Sequence, residues 1–166
     1  MQDPVGTITI REANGTDTAG VATVVEAAFA PLASVYHPVG EAATRQAERA
    51  KEGTRLVAEV DGRIVGTVQY AVHREHVHVV GLAVHPEAQR MGIGRALIVW
   101  IASLAPSLGR DVVRLDTIRE TGNVEIFERL GFRTVRESIA TWCASDDHSE
   151  VHEVMMERRA VRDGGG

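Results

Sequence analysis

The stretch Val84-His85-Pro86-Glu87-Ala88-Gln89-Arg90-Met91-Gly92-Ile93-Gly94-Arg95 joins a β-rich run to an amphipathic one, and its reading decides the fold. Upstream, His76 to Val84 is rich in β-branched residues and stops at His85-Pro86, because proline has no amide to give to a strand ladder. Downstream from Ile93, apolar residues recur at Ala96, Leu97, Trp100, Ile101 and Leu104, one face of a helix that ends near Pro106. The first-turn amides of such a helix lack intrahelical partners and face outward as anion donors. Glycines at 92 and 94 remove side chains that would hold a phosphate off the backbone, and the helix dipole with Arg90 and Arg95 favours negative charge. A pyrophosphate suits this arrangement; a packing turn with two glycines is the competing reading. A P-loop is excluded by the missing Gly-Lys-Ser/Thr ending, and a dinucleotide fingerprint by the missing third glycine and ribose-binding acid.

Working outward, Arg55 to Val60 and Arg63 to His73 flank Asp61-Gly62, a two-residue turn that closes an antiparallel hairpin. Thr7 to Glu12 alternates as a strand, and after Asn14-Gly15-Thr16-Asp17 the apolar residues Val21, Val24, Val25 and Ala28 fall at helical spacing. Pro31, Pro38 and Gly40 break regular structure over 30–40, and the Ala-rich, charged stretch Glu41 to Glu52 suits a surface helix. On the other side, Val112 to Asp116 reads as a short buried strand, and Asn123 to Leu130 as a helix capped by Asn123 and closed by Gly131. Phe132 to Cys143 and Val151 to Arg158 read as strands around the polar loop 144–150, and residues 160–166 as a frayed tail. The expected fold is α/β in the α+β sense, a single domain with its core over 7–158. Its mostly antiparallel mixed sheet has one parallel crossover through the helix at 93–104, and about four helices cover it.

Composition narrows the function classes. A chain of 166 residues with 44% hydrophobic content buries one sizeable core, and no stretch of about 18 apolar residues suggests a membrane span. No basic-then-apolar leader opens it, so the cytoplasm is the expected address. A net charge of -5 argues against general nucleic-acid binding. Lys51 is the only lysine among 18 basic residues, a bias read as compositional. With Cys143 as the single cysteine there is neither an internal disulfide nor a Cys-x-x-Cys metal cluster.

Three segments, Leu82 to Glu87, Gln89 to Arg95 and Phe127-Glu128-Arg129-Leu130-Gly131-Phe132, together resemble the signature of the GNAT acetyltransferase superfamily. The resemblance is specific over residues 76–132 and agrees with the element order over about 7–158. It implies an acetyl-CoA-dependent N-acyltransferase with acetyl-CoA as co-substrate. The backbone of Leu82, Ala83 and Val84 would pair with the pantetheine arm in an opening between the strands at 76–84 and 112–116. Arg90, Met91, Gly92, Ile93, Gly94 and Arg95 would form the pyrophosphate loop. Asn123 stands four residues before Phe127, where the family's usual asparagine stands seven before, so its contact with CoA competes with a helix-cap role.

Acyl transfer to an amine needs a neutral nucleophile, stabilisation of the thioester oxygen and a proton donor for the thiolate. An alkylammonium has a pKa of about 10.4, so a base must take its proton. Asp116 is the first candidate, since matching through Gly131-Phe132 sets it near a position where some family members carry a catalytic glutamate. Glu120 and His78 are the others. Phe127 occupies the place where the family often has a proton-donating tyrosine. The chain therefore reads as a transferase acting by direct attack of a primary amine, of a small molecule or a protein, or alternatively as a catalytically weak acyl-CoA-binding protein. His73, His76 and His78 could be taken for a metal site, but no cysteine or acid evidently completes the shell and no metal is expected. His85 reads as structural. Acceptor recognition is expected from Phe29, Tyr36 and His37 and from the 144–150 loop, where Asp146, Asp147, Glu150 and nearby Glu153 could draw a cationic amine. Trp142 would line that pocket or complete the core. A homodimer through the edges of the last two strands is one expected assembly.

Overall fold

The computed structural model describes residues 6–49 and 51–162. In chain order the elements are β1 (Thr9–Glu12), α1 (Thr18–Phe29), β2 (His37–Pro38), α2 (Glu41–Arg49), β3 (Thr54–Val60), β4 (Arg63–Val72), β5 (Val77–Val84), α3 (Ile93–Leu104), β6 (Val112–Ile118), α4 (Asn123–Arg129), β7 (Arg133–Ile139), β8 (Cys143–Ala144) and β9 (His152–Arg159). Seven strands form one mixed sheet in the order β1-β3-β4-β5-β6-β9-β7. Only β5 and β6 pair in parallel; the other neighbours are antiparallel, as the single α3 crossover requires. The expected hairpin is present, with Asp61 and Gly62 both at positive φ between β3 and β4. No helix among the described residues is long and apolar enough to cross a membrane.

Strict periodicity explains the core. Ile93, Leu97, Ile98, Ile101 and Ala102 of α3 are fully buried and pack on Leu56, Val68, Val77, Val79, Val113 and Leu115 of the sheet. Successive strand residues face opposite ways, so His78 of β5 and Asp116 of β6 lie on the face away from that core.

Several expectations are corrected. The run 132–143 is not one strand: β7 stops at Ile139, and Cys143–Ala144 instead bridges His37–Pro38 in a separate two-stranded ladder. Pro38 is tolerated there because the bridge is only two residues long. The strand at the C-terminus is no edge, since β9 lies between β6 and β7, leaving β7 alone of that pair exposed. The backbone is also held beyond the last strand, with Ala160 N donating to Asp111 O at 2.8 Å and Val161 N to Ala102 O at 2.9 Å. The expected tail is thus tied through 161, and its residues 163–166 lie outside the described residues.

The end of α4 accounts for Phe127. Gly131 takes a left-handed φ of 93°, its amide reaches Glu128 O at 3.0 Å, and the Phe132 amide reaches Phe127 O at 3.0 Å. This double closure brings the two phenyl rings together, 5.8 Å between centroids and 74° between planes. Phe127 is half-buried, so Phe127→Ala is expected to cost about 2 kcal/mol, less than the ~3–5 of a fully buried phenylalanine. Phe127→Tyr should melt within about 2 °C of the wild type; thermal melts of both variants check this.

Candidate active site

β5 and β6 share only the pairs Val77 with Val113 and His78 with Arg114, after which no ladder joins them. The cause is local to β5. Gly81 and Leu82 together oppose Val68 of β4, a bulge in the register, and Gly81 carries it with φ at 67°. Meanwhile β6 stays in unbroken register with β9 from Val112 to Ile118. The two strands part, and the outer edge of β5 holds Leu82, Ala83 and Val84 with no β6 partner. An isolated glycine within a β pattern was the sequence signal for this bulge.

The chain leaves β5 through a short turn at Pro86–Ala88, where His85 Nδ1 accepts from the Glu87 amide at 3.2 Å. His85 is therefore a turn cap. Arg90 and Gly92 then adopt left-handed φ of 68° and 80°, and the first bond of α3 runs from Ala96 N to Gly92 O at 3.0 Å. No side chain caps α3, so the amides of Ile93, Gly94 and Arg95 have no partner inside the helix. An added Cβ at Gly94 would meet only Leu82 and Val84, each at 3.9 Å, so packing does not demand glycine there. The Ile93 side chain belongs to the core and only its backbone faces the loop. Arg90 and Met91 are exposed, while Arg95 Nη2 donates to Arg129 O at 3.0 Å and ties the loop to the end of α4.

Asn123 is not the cap of α4. Gly122, with φ at 82°, holds that position, and Asn123 is the first helical residue, its amide donating to Thr121 Oγ1 at 3.2 Å. A turn that must pass through the left-handed region selects glycine over the better side-chain capper.

At the point where the strands part, Asp116 Oδ2 lies 3.4 Å from His78 Nε2. Burial lowers the His78 pKa to about 4, helped by the neighbouring charges of His73, Arg114 and Arg49. Burial also raises Asp116 above the ordinary 3.8, against the pull of Arg114, Arg136 and Arg49. At neutral pH the contact is a carboxyl group facing a neutral imidazole rather than an ion pair. Arg114 is close in sequence and on the same strand as Asp116, whereas Arg49 and Arg136 were not legible as neighbours of this pair, because α2 and β7 reach it only through the tertiary fold. Arg114 is itself engaged by Glu157, Nε to Oε1 at 2.8 Å.

Glu120 does different work. It follows β6 and accepts from the His152 amide at 2.9 Å and from His152 Nδ1 at 2.5 Å, pinning the start of β9. Burial pushes Glu120 up, but these bonds outweigh it and hold it below 4.5, while the Glu120 bond raises His152 above 6.5. Each of its two oxygens thus accepts one hydrogen bond from His152. The carboxylate's contribution is present above pH 4.5 and lost as pH falls through its folded value; the imidazole's is present below pH 6.5 and lost as pH rises through its own. Glu120→Gln should therefore lower Tm most near pH 5–6, with a smaller gap on either side. A pH series of thermal melts would refute the pairing if that gap were flat.

The two expected acceptor segments meet. Asp146 N donates to Ser34 O at 2.9 Å, Ser34 Oγ to Asp147 Oδ2 at 3.0 Å, and Val39 N to Trp142 O at 3.1 Å. Tyr36 and Trp142 stack edge-on at 6.1 Å beside buried Ile118, Ala140 and Val151, and Trp142 Nε1 donates to Glu153 Oε2 at 2.8 Å. Trp142 thus completes a small second core and lies against an acid at once. Phe29 closes α1, and His37 Nδ1 lies 3.2 Å from Ala33 O.

A splayed parallel strand pair thus lies beside an uncapped, glycine-bearing helix start. Residues 21–132 match the acetyltransferase (GNAT) family, and the chain belongs to it. A mycothiol acetyltransferase of Pseudarthrobacter chlorophenolicus is 34% identical over 135 residues, 71% of this chain and 40% of that protein. The chain thus spans about two fifths of that relative's length. The ribosomal-protein-S18-alanine N-acetyltransferase of Escherichia coli superposes with a TM-score of 0.72 at 19% identity, covering 96% of this chain and 98% of that one. A GNAT family acetyltransferase of Elizabethkingia anophelis with acetyl-CoA bound superposes with a TM-score of 0.67 at 15% identity, covering 92% and 97%. At these identities the structural likeness is one of fold.

Proposed function

We propose that the protein is an N-acetyltransferase that moves the acetyl group of acetyl-CoA to a primary amine of a small molecule or protein by direct attack. The observation that carries this reading is the parting of β5 from β6 next to the uncapped start of α3. Acetyl-CoA supplies the activated acyl group as a thioester. On this reading the unpartnered backbone of Leu82, Ala83 and Val84 holds the pantetheine arm, and a β5 amide stabilises charge at the thioester oxygen. The amides of 91–95, with the positive charge of Arg90 and Arg95, hold the pyrophosphate. Asn123, half-buried at the start of α4 with no side-chain hydrogen bond among the described residues, is free to contact the same ligand.

Asp116 takes the proton of the incoming ammonium, and His78, neutral at working pH, holds the carboxyl group in place. The joined 34–39 and 142–147 segments, with Glu153 and Asp147, form the acceptor wall and favour a cationic amine. Phe127 favours a second reading, an acyl-CoA-binding protein with little turnover, because phenylalanine has no proton to give the thiolate. Thiol release from acetyl-CoA across a panel of amines and peptide N-termini decides between them. Amine-dependent release supports the transferase, and binding without release from any amine supports the second reading.

A further inference from the structure

The turn joining β4 to β5 gathers three imidazoles, two of which the acyl-transfer reading leaves unused. His73 N donates to His76 O at 2.8 Å to close the turn, and the register sets Ala71 opposite His78. The three rings therefore lie on one side of the hairpin end, with centroids 4.8, 5.1 and 5.3 Å apart. One nitrogen from each ring lies within 4.8 Å of the others. His76 Nε2 and His78 Nδ1 are only 3.1 Å apart. Two nitrogens bound to one zinc at ~2.0–2.1 Å with tetrahedral angles are separated by about 3.3 Å. His76 and His78 already meet that spacing, and His73, on the exposed turn, has freedom to close on them.

The sequence offered no acid to complete such a cluster, but the fold brings one from β6. Asp116 Oδ2 stands 3.4 Å from Nε2 of His78, on the side of the ring away from His76. A carboxylate there keeps the ring proton on Nε2 and turns the Nδ1 lone pair toward the cluster, the orientation that ligating histidines usually receive from a carboxylate. The nearby positive charge of Arg114 is met by Glu157 at 2.8 Å, which reduces its opposition to a cation.

We propose that His73, His76 and His78 form a binding site for a single divalent transition-metal cation that favours imidazole nitrogen, with zinc as its natural probe and Asp116 as the orienting partner of His78. The site rests on these four side chains, and because His78 and Asp116 also serve the acyl-transfer reading, its test reads metal affinity and not turnover. The test is titration of the chelator-stripped full chain with zinc in competition with a chromophoric chelator. One equivalent is expected, with affinity lowered at least ~10-fold in His73→Gln and in His76→Gln and unchanged in His148→Gln. His73 is exposed, so His73→Gln keeps its fold even if the variant at buried His76 does not. Absence of a one-equivalent site, affinity unchanged in His73→Gln, or affinity lost in His148→Gln would each overturn the proposal and leave the cluster a stack of imidazoles closing a hairpin.

Discussion

Gly94→Leu is expected to fold as the wild type does and to lose acetyl-CoA affinity by at least ~100-fold, about 2.7 kcal/mol. The fold should tolerate the change, because the nearest atoms to a Cβ at 94 are 3.9 Å away and leucine is the better helix former. What the side chain would cover is the row of amides at the start of α3, the only donors there that the helix does not use. Gly92→Ala is the contrasting variant. Its Cβ meets nothing, yet φ at 80° strains any L side chain, so it should cost about 1 kcal/mol of stability along with part of the affinity. Calorimetric titration with thermal melts of both variants separates the two effects. Wild-type binding by Gly94→Leu would remove the phosphate role from this loop.

Asp116→Asn is expected to lower kcat by ~10²–10⁴ while leaving the KM for acetyl-CoA within about twofold. The pH profile is the sharper readout. A carboxyl base acts once it has lost its proton, and the Asp116 pKa is raised by burial, so turnover should climb as pH rises through a value above the ordinary 3.8. That limb should vanish in the asparagine variant. Since His78 is neutral down to about pH 4, no histidine limb near 6.5 is expected from this pair. A kcat/KM profile measured with one amine throughout checks both points, and an undiminished kcat in Asp116→Asn would move the base elsewhere.

The parts of the fold legible in the sequence were those that local chemistry dictates. The Asp61-Gly62 hairpin, the α3 face and the Gly131 closure each follow from a few neighbouring residues, and all three stand where the residues set them. The loop at 90–95 belongs to the same class, because a strand, a pair of glycines and a helix determine it together. What escaped depended on residues far apart in the chain. The Cys143–Ala144 bridge to His37–Pro38, the interior position of β9 and the Glu120–His152 bond all require the finished sheet. Asp116 was named as a base through the family resemblance, but its approach to His78 arises because β5 and β6 hold register for just two pairs. Asn123 shows the opposite error. Capping preference pointed to its side chain, and the left-handed turn into α4 gave the position to Gly122.

On the proposed reading the opening between β5 and β6 and the start of α3 together bind acetyl-CoA. Titration calorimetry of the wild-type chain with acetyl-CoA and with S-acetylpantetheine, which keeps the thioester and arm but lacks the pyrophosphate, tests it most directly. One saturable site is expected for acetyl-CoA, with affinity at least ~100-fold weaker for S-acetylpantetheine. Equal affinity for the two, or no binding of acetyl-CoA at all, would contradict it.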